Sequence, residues 1–328
     1  MSKVSKRAFG TVFQIQNECT GLTRLEHVLR MDREQNILGQ RPLDMRFRLA
    51  HQISEAVLSV HTLMRVHKNV RPDTILMMRL SSLDGPDDMN LGIPYLTYWS
   101  MLRKINAPSS MVGEDDWQKD IYRYPRRQGL QPETRYNMGH DIYSLGVCLL
   151  AIGLWRPLVD TSFDFPRPCE EYRETAVRLE VVQRKDISSI QALRAVDDNV
   201  ERRRLIKLLI KPITMDTILR GMAAHYLPSR MGLAYTSIVV ACLRCLDGSF
   251  GDVNIFKDYN KQAVGLQFDE KVPQPLTALA NVMKARIFES PSANERVPEG
   301  HESDDTRGNR VATDYVLVCK SRDEPEGQ

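Results

Sequence analysis

No apolar run in this sequence approaches the ~20 residues a membrane-spanning helix needs. The two longest, Leu145 to Trp155 and Ile238 to Leu246, fall far short, so no membrane span is expected. The first residues, Met-Ser-Lys-Val-Ser-Lys-Arg, lead into no apolar segment of the signal-peptide kind. The six cysteines, Cys19, Cys148, Cys169, Cys242, Cys245 and Cys319, lack the regular spacing of a disulfide framework. Together these absences point to a soluble cytoplasmic protein in a reducing compartment. An excess of one charge is missing as well: 45 Lys plus Arg against 42 Asp plus Glu leave +3. That is too balanced for a polyanion binder that relies on many phosphate contacts, so nucleic acid is not an expected partner. Aromatics are only 7% of the chain, and 18 Gly and 17 Pro are few for 328 residues. Strand-and-turn architectures are disfavoured and a mainly α fold is expected.

What is present is mostly helical periodicity. Gly10 to Gln16 is β-branched and aromatic enough for one edge strand, closed by a polar turn over Asn17 to Gly21. A short helix is expected from Leu22 to about Met31. A long one follows, with Asp44 as its N-cap and Leu49, Ile53, Val57, Val60 and Met64 forming one apolar stripe. Pro72 ends any helix there, and Ile75 to Met78 and Tyr95 to Ser100 read as two short strands of a hairpin. Ala107 to Gln131 reads as loop. Asp141 to Trp155 has hardly a polar residue after Ser144, the pattern of a helix buried on all sides. Further helices are expected around 171–183, 200–210, 215–225, 235–246 and 269–283. From about Ser290 the composition turns polar and aperiodic, which predicts a disordered tail over 289–328. Tyr315 to Val318 reads as part of that tail, with a strand or a docking peptide as the alternatives.

The order of segments carries more than any one of them. His67-Lys-Asn-Val-Arg-Pro-Asp-Thr-Ile-Leu76 is followed by the hairpin, then by Tyr122-Arg-Tyr-Pro125, then by Asp141-Ile-Tyr-Ser-Leu-Gly146 opening the buried helix. Over roughly residues 12 to 285 this resembles the C-terminal lobe of a protein kinase. The first segment resembles the catalytic loop H-R-D-L-K-P-E-N-I-L, Tyr98-Trp99-Ser100 falls at D-F-G, and Tyr122 to Arg126 resembles Y-R-A-P-E. Phe47 to His51, Val66 to Asn69, Ile152 to Pro157 and Cys242 to Gly251 are similar to fungal kinase-like domains found with prion-inhibition and propagation (HET-s/HeLo) modules.

The resemblance implies phosphoryl transfer only if its chemical residues are kept. Asn69 stands at the loop Asp and cannot take a proton at neutral pH. Arg71 keeps a cation at the loop Lys, Thr74 replaces the metal-binding Asn, and Tyr98 replaces the D-F-G Asp. Only 66 residues precede His67, with no G-x-G-x-x-G among them, so the expectation is an N-lobe largely missing. Residues 1–20 would then be a remnant of the hinge strand and 21–288 the C-lobe. What the resemblance retains is structural: Asp141 holding loop amides, His67 bracing the hairpin, and Arg123 and Pro125 in the Y-R-A-P-E segment. The usual Glu of that segment is Arg126, so its buried ion pair is lost or reversed. Asp73 reads as loop capping.

Other candidates have bland readings. Cys242 and Cys245 have the spacing of half a zinc or redox site, but their apolar flanks read as core packing. His51, His61 and His67 lack the spacing of a metal-binding helix. The basic run at Arg202 to Arg204, continued by Lys207 and Lys211, reads as the solvated face of a helix.

The reading is therefore a catalytically inactive kinase-like module that binds or scaffolds protein partners in fungal signalling or incompatibility. Weak or absent Mg-ATP binding, no cofactor and no metal are expected, with association through the surface that an N-lobe would cover. Two alternatives stay open: a Ser/Thr protein kinase with an atypical site or an upstream N-lobe, and a degenerate gene product without activity.

Overall fold

The computed structural model describes residues 19–35, 41–80, 91–105, 111–161, 165–183, 186–191, 199–247 and 267–288. The described chain is mainly helical. Strand β1 (Cys19–Arg24) runs into α1 (Leu25–Glu34), whose Leu25, Val28, Leu29 and Asp32 form one buried face. Helix α2 (Leu43–Thr62) follows, burying Phe47, Ala50, Ile53, Ser54, Val57, Val60 and His61. Pro42 takes its N-cap position, and Asp44 lies inside the first turn, pairing with Arg48 one turn on. Asp44 is thus not the cap that the sequence suggests.

Strand β2 (Arg65–Val66) leads through a 3₁₀ turn at Pro72–Thr74 into β3 (Ile75–Leu80). Strand β4 (Ile93–Leu96), a 3₁₀ turn at Trp99–Met101 and β5 (Arg103–Lys104) come next. Strands β1, β3 and β4 make an antiparallel sheet in that order, with Arg24 opposite Leu76 and Leu76 opposite Tyr95. Strands β2 and β5 pair separately, Val66 opposite Arg103. The hairpin expected of 75–78 and 95–100 is present, but its second strand ends at Leu96. Of the residues read as a polar turn, 19–21 belong instead to β1, where Cys19 and Gly21 find partners on β3, and 17–18 lie outside the described residues. The edge strand expected at 10–16 lies outside the described residues, as does the tail from 289.

The stretch read as loop holds two short elements, α3 (Trp117–Asp120), capped by Asp116, and a 3₁₀ turn at Pro125–Arg127. Helix α4 (Met138–Leu154) starts three residues before Asp141. A reciprocal capping box between Asn137 and His140 fixes its start. Ile142, Leu145, Val147, Leu149, Leu150 and Ile152 are all 0% exposed. A short pair, β6 (Val159–Asp160) and β7 (Arg167–Pro168), precedes α5 (Glu170–Arg178), α6 (Ile187–Gln191) and α7 (Asn199–Leu209).

Helix α8 (Pro212–Leu243) takes in the 215–225 periodicity and most of the 235–246 one, ending at Leu243, and breaks between them. Gly232 sits at φ 82°, ψ 167°, and Pro228 one turn earlier supplies no amide. Helix α9 (Pro273–Phe288) closes the described chain. Helix α4 is the hub: α8 and α2 pack on it, α9 packs on α2, and α5 packs on α8. Among the described residues no helix is long and apolar enough to cross a membrane.

Candidate functional site: a loop held by Asp141

The segment 67–74 between β2 and β3 lies against the first turn of α4, and one side chain joins them. Asp141 is fully buried. Its Oδ2 accepts the backbone amide of His67 at 2.7 Å, and its Oδ1 accepts that of Lys68 at 2.8 Å. The Tyr136 hydroxyl donates to Oδ1 at 2.7 Å, and His61 Nε2 lies 3.3 Å from Oδ2. Burial pushes the pKa of Asp141 up. The His61 hydrogen bond, the His61 and His67 imidazoles and the Tyr136 hydroxyl together push it down by more, so the group is an anion. A carboxylate surrounded by donors is an anchor, with no proton to give and no lone pair free for another partner.

The anchor offsets backbone strain. Lys68 adopts a left-handed conformation at φ 69°, which costs a side-chain-bearing residue roughly 1–2 kcal/mol. Its amide reaches Asp141 only through that turn of the chain. The Lys68 ammonium is half-buried, and burial, then the nearby Arg103 and Arg127, push its pKa down.

The rest of the loop closes on itself. Thr74 is fully buried, with Oγ1 2.7 Å from the Asn69 carbonyl and 2.9 Å from that of Arg71, and it accepts the Arg71 amide at 3.3 Å. Its own carbonyl takes both the amide and the hydroxyl of Thr97, at 2.9 and 2.8 Å. Arg71 Nε pairs with Asp73 Oδ1 at 2.7 Å. The hydroxyl of Thr74 and the carboxylate of Asp73 are thus both engaged within the loop.

The structure brings residues 98–100 beside this loop. Tyr98 is left-handed at φ 64° and 45% exposed, opening the 3₁₀ turn that contains Trp99 and Ser100. The Trp99 ring meets the buried His67 ring edge-on, centroids 5.7 Å apart. Burial pushes the pKa of the His67 ring down, against the Asp141 carboxylate and the Thr97 and Asn69 backbones, which push it up. Asn69 contributes its carbonyl to Thr74 and carries no charge.

Arg123 pairs with Asp120 at 2.9 Å and Glu114 at 3.2 Å, while Asp120 also accepts the Gly129 amide at 2.9 Å. Pro125 opens the 3₁₀ turn after them. Arg126 is 65% exposed, 3.9 Å from an equally exposed Glu133, so it makes no buried tether. A different tie joins α4 to α8 and the turn beyond it: Tyr143 donates to Asp216 at 3.0 Å, and Arg220 bridges Asp216 and Asp247.

Cys242 and Cys245 are both buried, the latter donating to the Gly139 carbonyl at 3.1 Å. Among the described residues no group of three or more His, Cys, Asp and Glu could hold a metal ion. His61 and Tyr136 are the members of the Asp141 network that motif reading passes over. His61 carried a usable signal, since it continues the buried stripe of Val57 and Val60; Tyr136 lies in an aperiodic stretch and had none. Compared with known proteins, the chain matches no family model and no curated relative.

Proposed function

We propose that this chain is a catalytically inactive kinase-like lobe acting as a binding or scaffolding module, in fungal self/non-self or stress signalling of the kind the resemblance names. One observation carries the reading: a buried carboxylate holds the 67–74 loop in a fixed shape, while the loop's would-be chemical positions are neutral or engaged in its own backbone. Asn69 offers no proton acceptor. Thr74 Oγ1 is committed to carbonyls and an amide of the loop. Tyr98 presents a neutral phenol where a divalent cation would need an anionic oxygen. The residues present do not fit Mg-ATP, and no phosphoryl-transfer step is drawn through them. The shape is kept for what it presents to partners, since function lives in the site and not in the fold.

Incubation of the purified full chain with radiolabelled ATP, magnesium or manganese and a generic protein acceptor tests this. No label should enter the chain or the acceptor, and Asn69→Asp should stay equally silent, because one restored base supplies no metal ligand. Incorporation above a heat-killed control by the unmodified chain would overturn the reading.

A further inference from the structure

Between the N-terminal turn of α1, the 67–74 loop and the α3 region lies a cleft of about 170 Å³. Six of its lining residues are ionisable: Glu26, Arg71, Asp73, Asp116, Lys119 and Tyr122. Three carboxylates face two cations. The cations are already engaged, Arg71 with Asp73 at 2.7 Å and Lys119 with Asp116 at 3.3 Å and with Glu114 at 3.0 Å. Among the described residues Glu26 has no ion pair and no hydrogen bond. Burial and the neighbouring Asp73 push its pKa up by more than the surrounding Arg30, Arg24 and Arg71 push it down, so this carboxylate lacks a direct counter-charge.

Arg71 is 8% exposed, and its Nη1 has no hydrogen-bond partner. The wall of the cleft therefore holds both an unsatisfied donor and a carboxylate with no direct partner. The size selects among ligands. Small-molecule sites usually enclose about 300–1,000 Å³, whereas this cleft has room for roughly one long side chain.

We infer that the cleft binds a Lys or Arg side chain of a protein partner, with Glu26 as the counter-charge and the Arg71 side of the cleft facing the partner's backbone carbonyls. A cation there completes Glu26, and a peptide carbonyl accepts what Arg71 has to donate. The inference rests on the scaffolding reading only in making the occupant a partner that stays unchanged. Phosphorylation of a bound peptide would overturn that reading and leave the cleft assignment standing.

The test is fluorescence anisotropy of the full chain with capped nine-residue Ala/Gly/Ser peptides that carry Arg, Lys, citrulline or Glu at the centre. Arg and Lys peptides should bind at least tenfold tighter than the citrulline peptide, a preference that shrinks as salt is raised. Glu26→Gln should abolish the preference, and Glu26→Lys should transfer it to the Glu peptide; unchanged melting curves show that both variants fold. If either fails to fold, the Arg-to-citrulline ratio on the unmodified chain decides alone. Equal binding of the Arg and citrulline peptides, or no binding of any peptide at millimolar concentration, overturns the proposal. Agmatine binding as tightly as the Arg peptide overturns the assignment to a protein partner.

Discussion

Replacing Asp141 by alanine removes the acceptor for two buried backbone amides, a tyrosine hydroxyl and the His61 ring at once. Each orphaned buried donor costs about 1–3 kcal/mol. The expected loss is about 4 kcal/mol in urea unfolding, and a loss under about 1 kcal/mol would show that the loop does not depend on this anchor. A second prediction at this scale concerns acid. His140 is buried at the start of α4, and burial with the nearby Arg127 lowers its pKa from 6.5 to about 4. The unfolded chain therefore binds a proton that the native state refuses. Stability from this residue is full above pH 6.5 and falls as pH drops toward 4, by about 3 kcal/mol in all. His67, also depressed by burial, acts in the same direction. Unfolding free energies between pH 7 and 4 should show the decline, and His140→Gln should flatten part of it. The resemblance to a kinase lobe is what points to Asp141 in the sequence. The sequence hides the anchor's partners, because His61 is 80 positions away and meets it only once α2 and α4 pack.

The two-legged α8 and the buried α4 meet where small residues let them. An ideal Cβ on Gly146 would lie 2.7 Å from Cys242 Cβ and 3.2 Å from the Leu243 amide nitrogen. Gly146→Ala should therefore destabilise by roughly 1–2 kcal/mol, although alanine favours helix by about 1 kcal/mol. Gly232 has open space around its missing Cβ but adopts φ 82°, ψ 167°, a region open essentially to glycine alone, so Gly232→Ala should cost about 1–3 kcal/mol through backbone strain alone. Thermal melts of both variants check this; a stabilised Gly146→Ala would refute the close approach. Elements with one dominant local signal are legible in the sequence. Helix α4 is apolar all round, α2 carries a continuous stripe, and Pro72 separates helix from strand. Elements decided by partners are not. Strand β1 contains Gly21, a weak strand residue that pairs with Arg79 because β3 lies alongside. Helix α3 is one turn long and depends on the Asp116 cap.

At the scale of the molecule, a hub helix with no exposed apolar residue holds a strained loop in place through one buried carboxylate. Composition alone indicated a mainly helical chain without a membrane span; the ordering of its motifs indicated which loop and which helix to bring together. Charge compensation within the 67–74 loop and the cleft beside it depended on side-chain positions that no spacing encodes. The central claim is that the fixed loop does not receive nucleotide, and the most direct measurement is the melting temperature of the full chain with and without millimolar Mg-ATP. A ligand that binds only the native state at a hundred times its Kd adds about 2.7 kcal/mol. The account predicts coincident melting curves; a rise of several degrees that grows with nucleotide concentration would contradict it.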